Sequence, residues 1–116
     1  ILNNEKITIW GDGSVVRDYI HIDDLTMGVV KVIESSLNNQ IYNIGSGIGY
    51  SVKDIIGVLK KIVDVEFEVE YIEGRTVDVP IMVLDVKKFH DLVESTKVSI
   101  ESGIREFFVH ELKKNK

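Results

Sequence analysis

Apolar and polar positions along the chain change period several times, and each change marks an element. Ile7-Thr8-Ile9-Trp10 is a short apolar run closed by Gly11-Asp12-Gly13, a strong turn signal, and predicts a strand. Val15 to Ile22 is rich in β-branched residues and predicts a second strand. Its alternation sets Arg17, Tyr19 and His21 on one face and Val16, Asp18, Ile20 and Ile22 on the other. Asp23 and Asp24 are placed to cap a helix starting near Leu25, with Leu25, Val29, Val32 and Ile33 as its apolar face. Gln40 to Ile44 predicts a short buried strand, followed by the loop Gly45-Ser46-Gly47-Ile48-Gly49. Ser51 with Asp54 is a capping-box pattern opening a helix through Val52, Ile55, Ile56, Leu59, Ile62 and Val63.

The second half repeats the alternation of strand and helix. Glu66 to Ile72 alternates cleanly, with Phe67, Val69 and Tyr71 on one face and Glu66, Glu68 and Glu70 on a solvated one. Residues 73–80 predict a loop holding the only proline, Pro80. Ile81 to Leu84 predicts a short strand, and Asp85 caps a short helix carrying Phe89, Leu92 and Val93. Ser99 caps a final helix with the stripe Ile100, Ile104, Phe107, Phe108 and Leu112, and its Lys-rich end, Lys113 to Lys116, is expected to fray. Strands alternating with helices predict an α/β fold, and the lack of a linker or repeat predicts a single domain over residues 1–116.

Composition narrows the function classes. The net charge is -5, which argues against a general nucleic-acid binder needing a basic face. There is no cysteine, so disulfides, thiolate metal sites and catalytic thiols are excluded. No apolar run approaches the roughly 18 residues of a membrane helix, and no signal-peptide pattern opens the chain, so the cytoplasm is the expected compartment. Ile1-Leu2 reads like mid-protein sequence.

The glycine loop resembles a dinucleotide site in having a strand, a Gly-x-Gly turn and a capped helix, with Glu66 and Glu68 about twenty residues on. Tyr50 stands where the fingerprint wants a third glycine, however, and the plainer reading is a tight turn. The three histidines, His21, His90 and His110, show no metal spacing. Trp10 either packs in the core or stacks on a flat ligand ring.

The arginines say more, being three against eleven lysines. Arg17 precedes Asp18 on a strand, and Arg75 lies in a loop three residues before Asp78. A guanidinium fork matches phosphate oxygens, so the two could clamp one diphosphate. Alternatively each pairs with its neighbouring Asp or a backbone carbonyl, which spacing alone favours.

Ile7 to Gly13, followed by Val16-Arg17-Asp18-Tyr19-Ile20-His21-Ile22-Asp23-Asp24-Leu25, closely resembles the C-terminal part of extended short-chain dehydrogenases/reductases, above all the NAD-dependent nucleotide-sugar epimerase/dehydratase group. Ile41 to Gly47, Arg75-Thr76-Val77-Asp78-Val79-Pro80 and Ser99 to Ile104 carry the likeness onward. The resemblance implies a substrate-binding portion of such a fold, lacking most of the Rossmann sheet. It implies that Arg17 and Arg75 hold the diphosphate of a UDP-sugar and that Asp78 contacts the uridine ribose. Trp10 would lie at the uracil, and Tyr19 would line the same pocket. Val77 stands where many relatives carry Gly, and the usual Leu-Gly-Trp is replaced around Asp91-Leu92-Val93.

The family's hydride chemistry needs NAD on an N-terminal glycine loop and a Tyr-x-x-x-Lys pair. Four residues after Tyr19, Tyr42, Tyr50 and Tyr71 come Asp23, Ser46, Asp54 and Arg75, none of them Lys. The expectation is therefore the UDP-gripping part of an NAD-dependent 4-epimerase, with NAD bound by a separate N-terminal Rossmann portion and not by this chain. The alternatives are the same part of a dehydratase, decarboxylase or reductase, or a non-catalytic binding or structural unit. Apolar segments Ile20–Ile22 and Ile41–Ile44 would be left uncovered, which predicts self-association, such as a homodimer.

Overall fold

The computed structural model describes residues 5–36, 39–63, 66–75, 77–93 and 96–114. Among the described residues the predicted α/β architecture is present as two small sheets and four helices. Strand β1 (Ile7–Trp10) pairs in parallel with β4 (Val69–Ile72), Trp10 standing opposite Ile72. The second sheet has β2 (Val16–Asp18) at its centre. On one side it takes β3 (Gly49–Ser51) antiparallel, and on the other β5 (Ile81–Met82) parallel. The helices are α1 (Ile22–Glu34), α2 (Val52–Ile62), α3 (Lys87–Val93) and α4 (Ile100–Lys114).

Side-chain chemistry explains where the helices begin. Ser51 caps α2 with a complete capping box: Asp54 N donates to Ser51 Oγ at 3.1 Å, and Ser51 N donates back to Asp54 Oδ2 at 2.8 Å. Bonds from the Ser51 hydroxyl and amide hold the Asp54 carboxyl below its ordinary pKa. Ser99 caps α4 by accepting from Ser102 N, and Asp85 accepts from Lys87 N at the start of α3.

The first helix departs from expectation. It starts at Ile22, three residues early, and His21 is the cap, its Nδ1 accepting from Asp23 N. Asp24 is 5% exposed and serves elsewhere: its carboxylate accepts from the Lys97 and Val98 amides, tying α1 to the approach of α4. The predicted strand over Val15 to Ile22 thus shrinks to three residues, because its partners β3 and β5 end at its Asp18 and Arg17 levels. The buried face of α1 also shifts. Gly28 meets Phe89 so closely that an added Cβ would lie 2.4 Å from the ring, while Val29 and Ile33 face outward. Phe89, 1% exposed, is the centre of that contact.

Other elements are shorter or different. Gln40 to Ile44 is not a strand; Asn43 Nδ2 donates to Asp85 O and Lys88 Nζ donates to Ile41 O, side-chain bonds standing where a ladder was expected. Gly49–Ser51, expected as the end of a loop and a cap, forms the extra strand β3. Ile81 to Leu84 yields only two strand residues, since the Leu84 amide turns to the Asp18 carboxylate. Only the second half of Glu66 to Ile72 is strand, with Glu66, Glu68 and Glu70 exposed as predicted. No residue of α4 is fully buried: Phe107 and Leu112 of its predicted stripe are exposed. The helix runs to Lys114, and residues 115–116 of the Lys-rich end, like Thr76, lie outside the described residues.

Candidate functional site

Four of the five predicted site residues gather where the two sheets hand over to the loop after β4. Gly11, at φ +76°, turns the chain out of β1, and its amide donates to Ile72 O at 2.9 Å. Gly74 passes so near that a Cβ on it would stand 3.2 Å from Gly11 Cα. A Cβ at that distance is tighter than ordinary packing and would need the neighbouring backbone to give by a few tenths of an ångström. The close approach brings the loop back across the end of β1, with the Arg75 guanidinium carbon 5.7 Å from the Trp10 ring centroid, a cation–π distance. Trp10 is 53% exposed, so the core reading of this tryptophan is set aside.

Arg75 is also gripped by its neighbour. Nε lies 3.1 Å from Asp78 Oδ2 and Nη2 lies 3.2 Å from Oδ1, a two-pronged pair. The same loop is then stitched to β2. Val16 N donates to Pro80 O at 2.9 Å, and Arg17 Nη1 donates to Val79 O at 2.7 Å and to Val16 O at 2.8 Å. Arg17 therefore takes carbonyls, whereas Arg75 takes its carboxylate. Among the described residues, Nε and Nη2 of Arg17 make no hydrogen bond or ion pair, so this half-buried cation keeps donors in hand.

Tyr19 lies just past the end of β2, is exposed, and among the described residues makes no hydrogen bond or ring contact to the other four. The face it was expected to share with Arg17 ends where the strand ends.

Asp18, unassigned by sequence reasoning, organises the surroundings. Oδ1 accepts from Ser46 N at 2.8 Å and Ser46 Oγ at 2.7 Å; Oδ2 accepts from Gly47 N at 3.0 Å and Leu84 N at 3.3 Å. Burial opposes ionisation of this carboxyl, but the bonds from Ser46, Gly47 and Leu84 outweigh it and hold the pKa below the usual carboxylate range. An added Cβ at Gly45 would come 2.7 Å from Oδ2, which explains the first glycine of the loop. One signal in the sequence pointed here: a carboxylate on an otherwise apolar strand face requires donors, and a Gly-Ser-Gly loop offers free amides.

The glycine loop does not fit a dinucleotide. The Ser46 and Gly47 amides already bond the Asp18 carboxylate, and β3 separates the loop from the N-terminus of α2. Among the described residues no group of three or more His, Asp or Glu could hold a metal ion, and no helix is long and apolar enough to cross a membrane. An open cleft of about 640 Å³ between the start of α1 and α4, lined by His21, Glu106, Phe107 and His110, lies apart from all five predicted residues.

Comparison with known proteins gives these features a lineage. Residues 1–45 match the NAD dependent epimerase/dehydratase family. A UDP-glucose 4-epimerase of Bacillus subtilis is 34% identical over 93 residues, 72% of this chain and 27% of that protein. A dTDP-glucose 4,6-dehydratase of Streptomyces griseus is 30% identical over 107 residues, 89% of this chain and 29% of that protein. The solved UDP-glucose 4-epimerase of Thermotoga maritima, crystallised with UDP-glucose, superposes with a TM-score of 0.85 and 34% identity over 96% of this chain and 37% of that one. The chain spans a fifth to a third of the length of the curated relatives it matches. On these grounds the chain belongs to the NAD dependent epimerase/dehydratase family.

Proposed function

We propose that this chain is the UDP-sugar-binding portion of a nucleotide-sugar 4-epimerase of the UDP-glucose 4-epimerase type. The observation that carries the reading is that Arg17 and Arg75 both bond the same short loop, Arg17 at the Val79 carbonyl and Arg75 at Asp78. Arg17 is pinned through Nη1 by two carbonyls and keeps other donors free. Arg75 lies against an exposed tryptophan ring. Pinned donors lose little freedom on taking a diphosphate, and an exposed ring beside them suits a flat base. In this reading the chain contributes remote binding energy that keeps the nucleotide fixed while the sugar is processed. No step through the nicotinamide is assigned to these residues, because the glycine loop does not fit that cofactor. The remaining Rossmann portion of the enzyme would bind NAD and cover apolar surface such as Ile41, which is 87% exposed.

A second reading, the same portion of a dehydratase, is favoured by the longer match to the Streptomyces protein. Titration calorimetry with UDP and dTDP separates the two by which nucleotide binds tighter. For the first reading, UDP binding is expected to weaken about tenfold in Arg17→Ala, the usual scale for losing a charge-assisted hydrogen bond. UDP affinity unchanged in both Arg17→Ala and Arg75→Ala overturns the arginine clamp.

A further inference from the structure

The junction between α1 and α4 holds a titratable group that the candidate site does not use. His21 lies in the connection, residues 19–21, between β2 and α1. It caps α1, its Nδ1 accepting from Asp23 N at 3.3 Å. An accepting ring nitrogen carries no proton, so the capping form is the neutral imidazole with its proton on Nε2. Nε2 faces α4 and lies 3.8 Å from Glu106 Oε2, while Nδ1 lies 3.8 Å from Asp23 Oδ2. The ring itself is held: its side chain is 16% exposed, and a Cβ on Gly103 of α4 would stand 3.0 Å from His21 Cδ2. The Asp23 and Glu106 side chains are 76% and 68% exposed, so the two carboxylates are free to move.

Protonation changes what this ring can do. The added proton goes to Nδ1, so the ring stops accepting from the Asp23 amide and the cap is lost. Both nitrogens then donate, and each has a carboxylate near it, Asp23 from α1 and Glu106 from α4. Closing each gap by about 1 Å makes a charge-assisted hydrogen bond. The amino end of α1 acts against a positive ring, as do Arg105 and Lys113, which line the adjoining cleft with His110. Asp24, on the same turn of α1, takes no part, because its carboxylate is committed to the Lys97 and Val98 amides.

We propose that His21 is a proton-operated interlock between α1 and α4. Neutral, it caps α1 and leaves Asp23 and Glu106 to solvent. Charged, it gives up the cap and bridges the two carboxylates, tying the start of α1 to α4. The inference does not rest on the UDP-sugar reading.

The test combines NMR and urea unfolding of the full chain between pH 8 and pH 5, the range over which an imidazole gains its charge. The chains compared are wild type, His21→Asn, Glu106→Gln and the double variant. Asn is a good helix cap that does not titrate, so His21→Asn keeps the start of α1. At pH 8 the His21 ring nitrogens are expected to show a bare Nδ1; a proton on Nδ1 overturns the capping half of the interlock. From pH 8 to pH 5 the Asp23 amide resonance is expected to move in wild type and to stay in place in His21→Asn, which retains His110. Movement of equal size in both chains overturns the switch. Glu106→Gln is expected to lower the folded-to-unfolded ratio about two- to fivefold at pH 5, the scale of an exposed ion pair, and to leave it unchanged at pH 8. In the His21→Asn background the same substitution is expected to cost nothing extra at pH 5. A loss of the same size at both pH values, or one that persists without His21, overturns the bridge to Glu106.

Discussion

Two arginine–aspartate neighbours lie close together in this protein, and the fold spends them in opposite ways. At Arg17-Asp18 the carboxylate faces inward and collects four donors from two separate segments, while the guanidinium bonds two carbonyls. At Arg75 and Asp78 the two charges simply pair with each other near the surface. The first carboxylate builds structure. The second leaves its energy available for exchange, because a solvated pair is weak and a saturated carboxylate is not. Residues of identical type thus acquire different work from where their donors come from.

The largest effect should come from breaking the structural carboxylate. Asp18→Ala strands the Ser46, Gly47 and Leu84 amides and should cost about 3 kcal/mol in urea unfolding, since each unpaired buried donor costs about 1–3 kcal/mol and water recovers part of it. Asp78→Ala should cost no more than about 1 kcal/mol in the same measurement. Equal losses would erase the contrast between the two regions.

Acid should sharpen the contrast on a smaller scale. The folded pKa of Asp18 is depressed, so its contribution is fully present above the unfolded carboxylate pKa of about 3.9 and is lost as pH falls through the lower folded value. Unfolding curves at pH 6 and at successive steps below about pH 4 should show wild type losing more stability than Asp18→Asn, which has no carboxyl to titrate there. Parallel losses in the two chains would show that other carboxylates dominate the acid limb.

Residue type and spacing singled out the two arginines but favoured pairing each with a neighbouring Asp or a backbone carbonyl, and those are the partners they take, Arg17 on carbonyls and Arg75 on Asp78. Their reading as a diphosphate clamp came from the family resemblance. Trp10 was legible only as an aromatic next to a turn; the Arg75 guanidinium over its ring comes from a segment sixty-five residues on, a separation that periodicity does not register. Tyr19 was assigned to a strand face that ceases one residue earlier, because strand length depends on partners. Asp18 was hidden for the same reason: its donors come from residues 46, 47 and 84, far along the chain.

Local chemistry settled the α/β alternation, the capping box at Ser51, the cap at Ser99, the loop over its described residues 73–75 and 77–80, and the solvated glutamates Glu66, Glu68 and Glu70. These rest on interactions within a few residues, where the chain has no alternative partner. Long-range contacts settled the rest. They shortened the strands to the length of their neighbours, moved the start of α1 to His21, and turned Asp24 from a cap into a buried acceptor. They also gave Arg17 carbonyls and Arg75 a carboxylate. A polar group satisfies itself with whatever donor or acceptor the folded chain delivers, and that delivery is set by tertiary proximity, which no run of adjacent residues encodes.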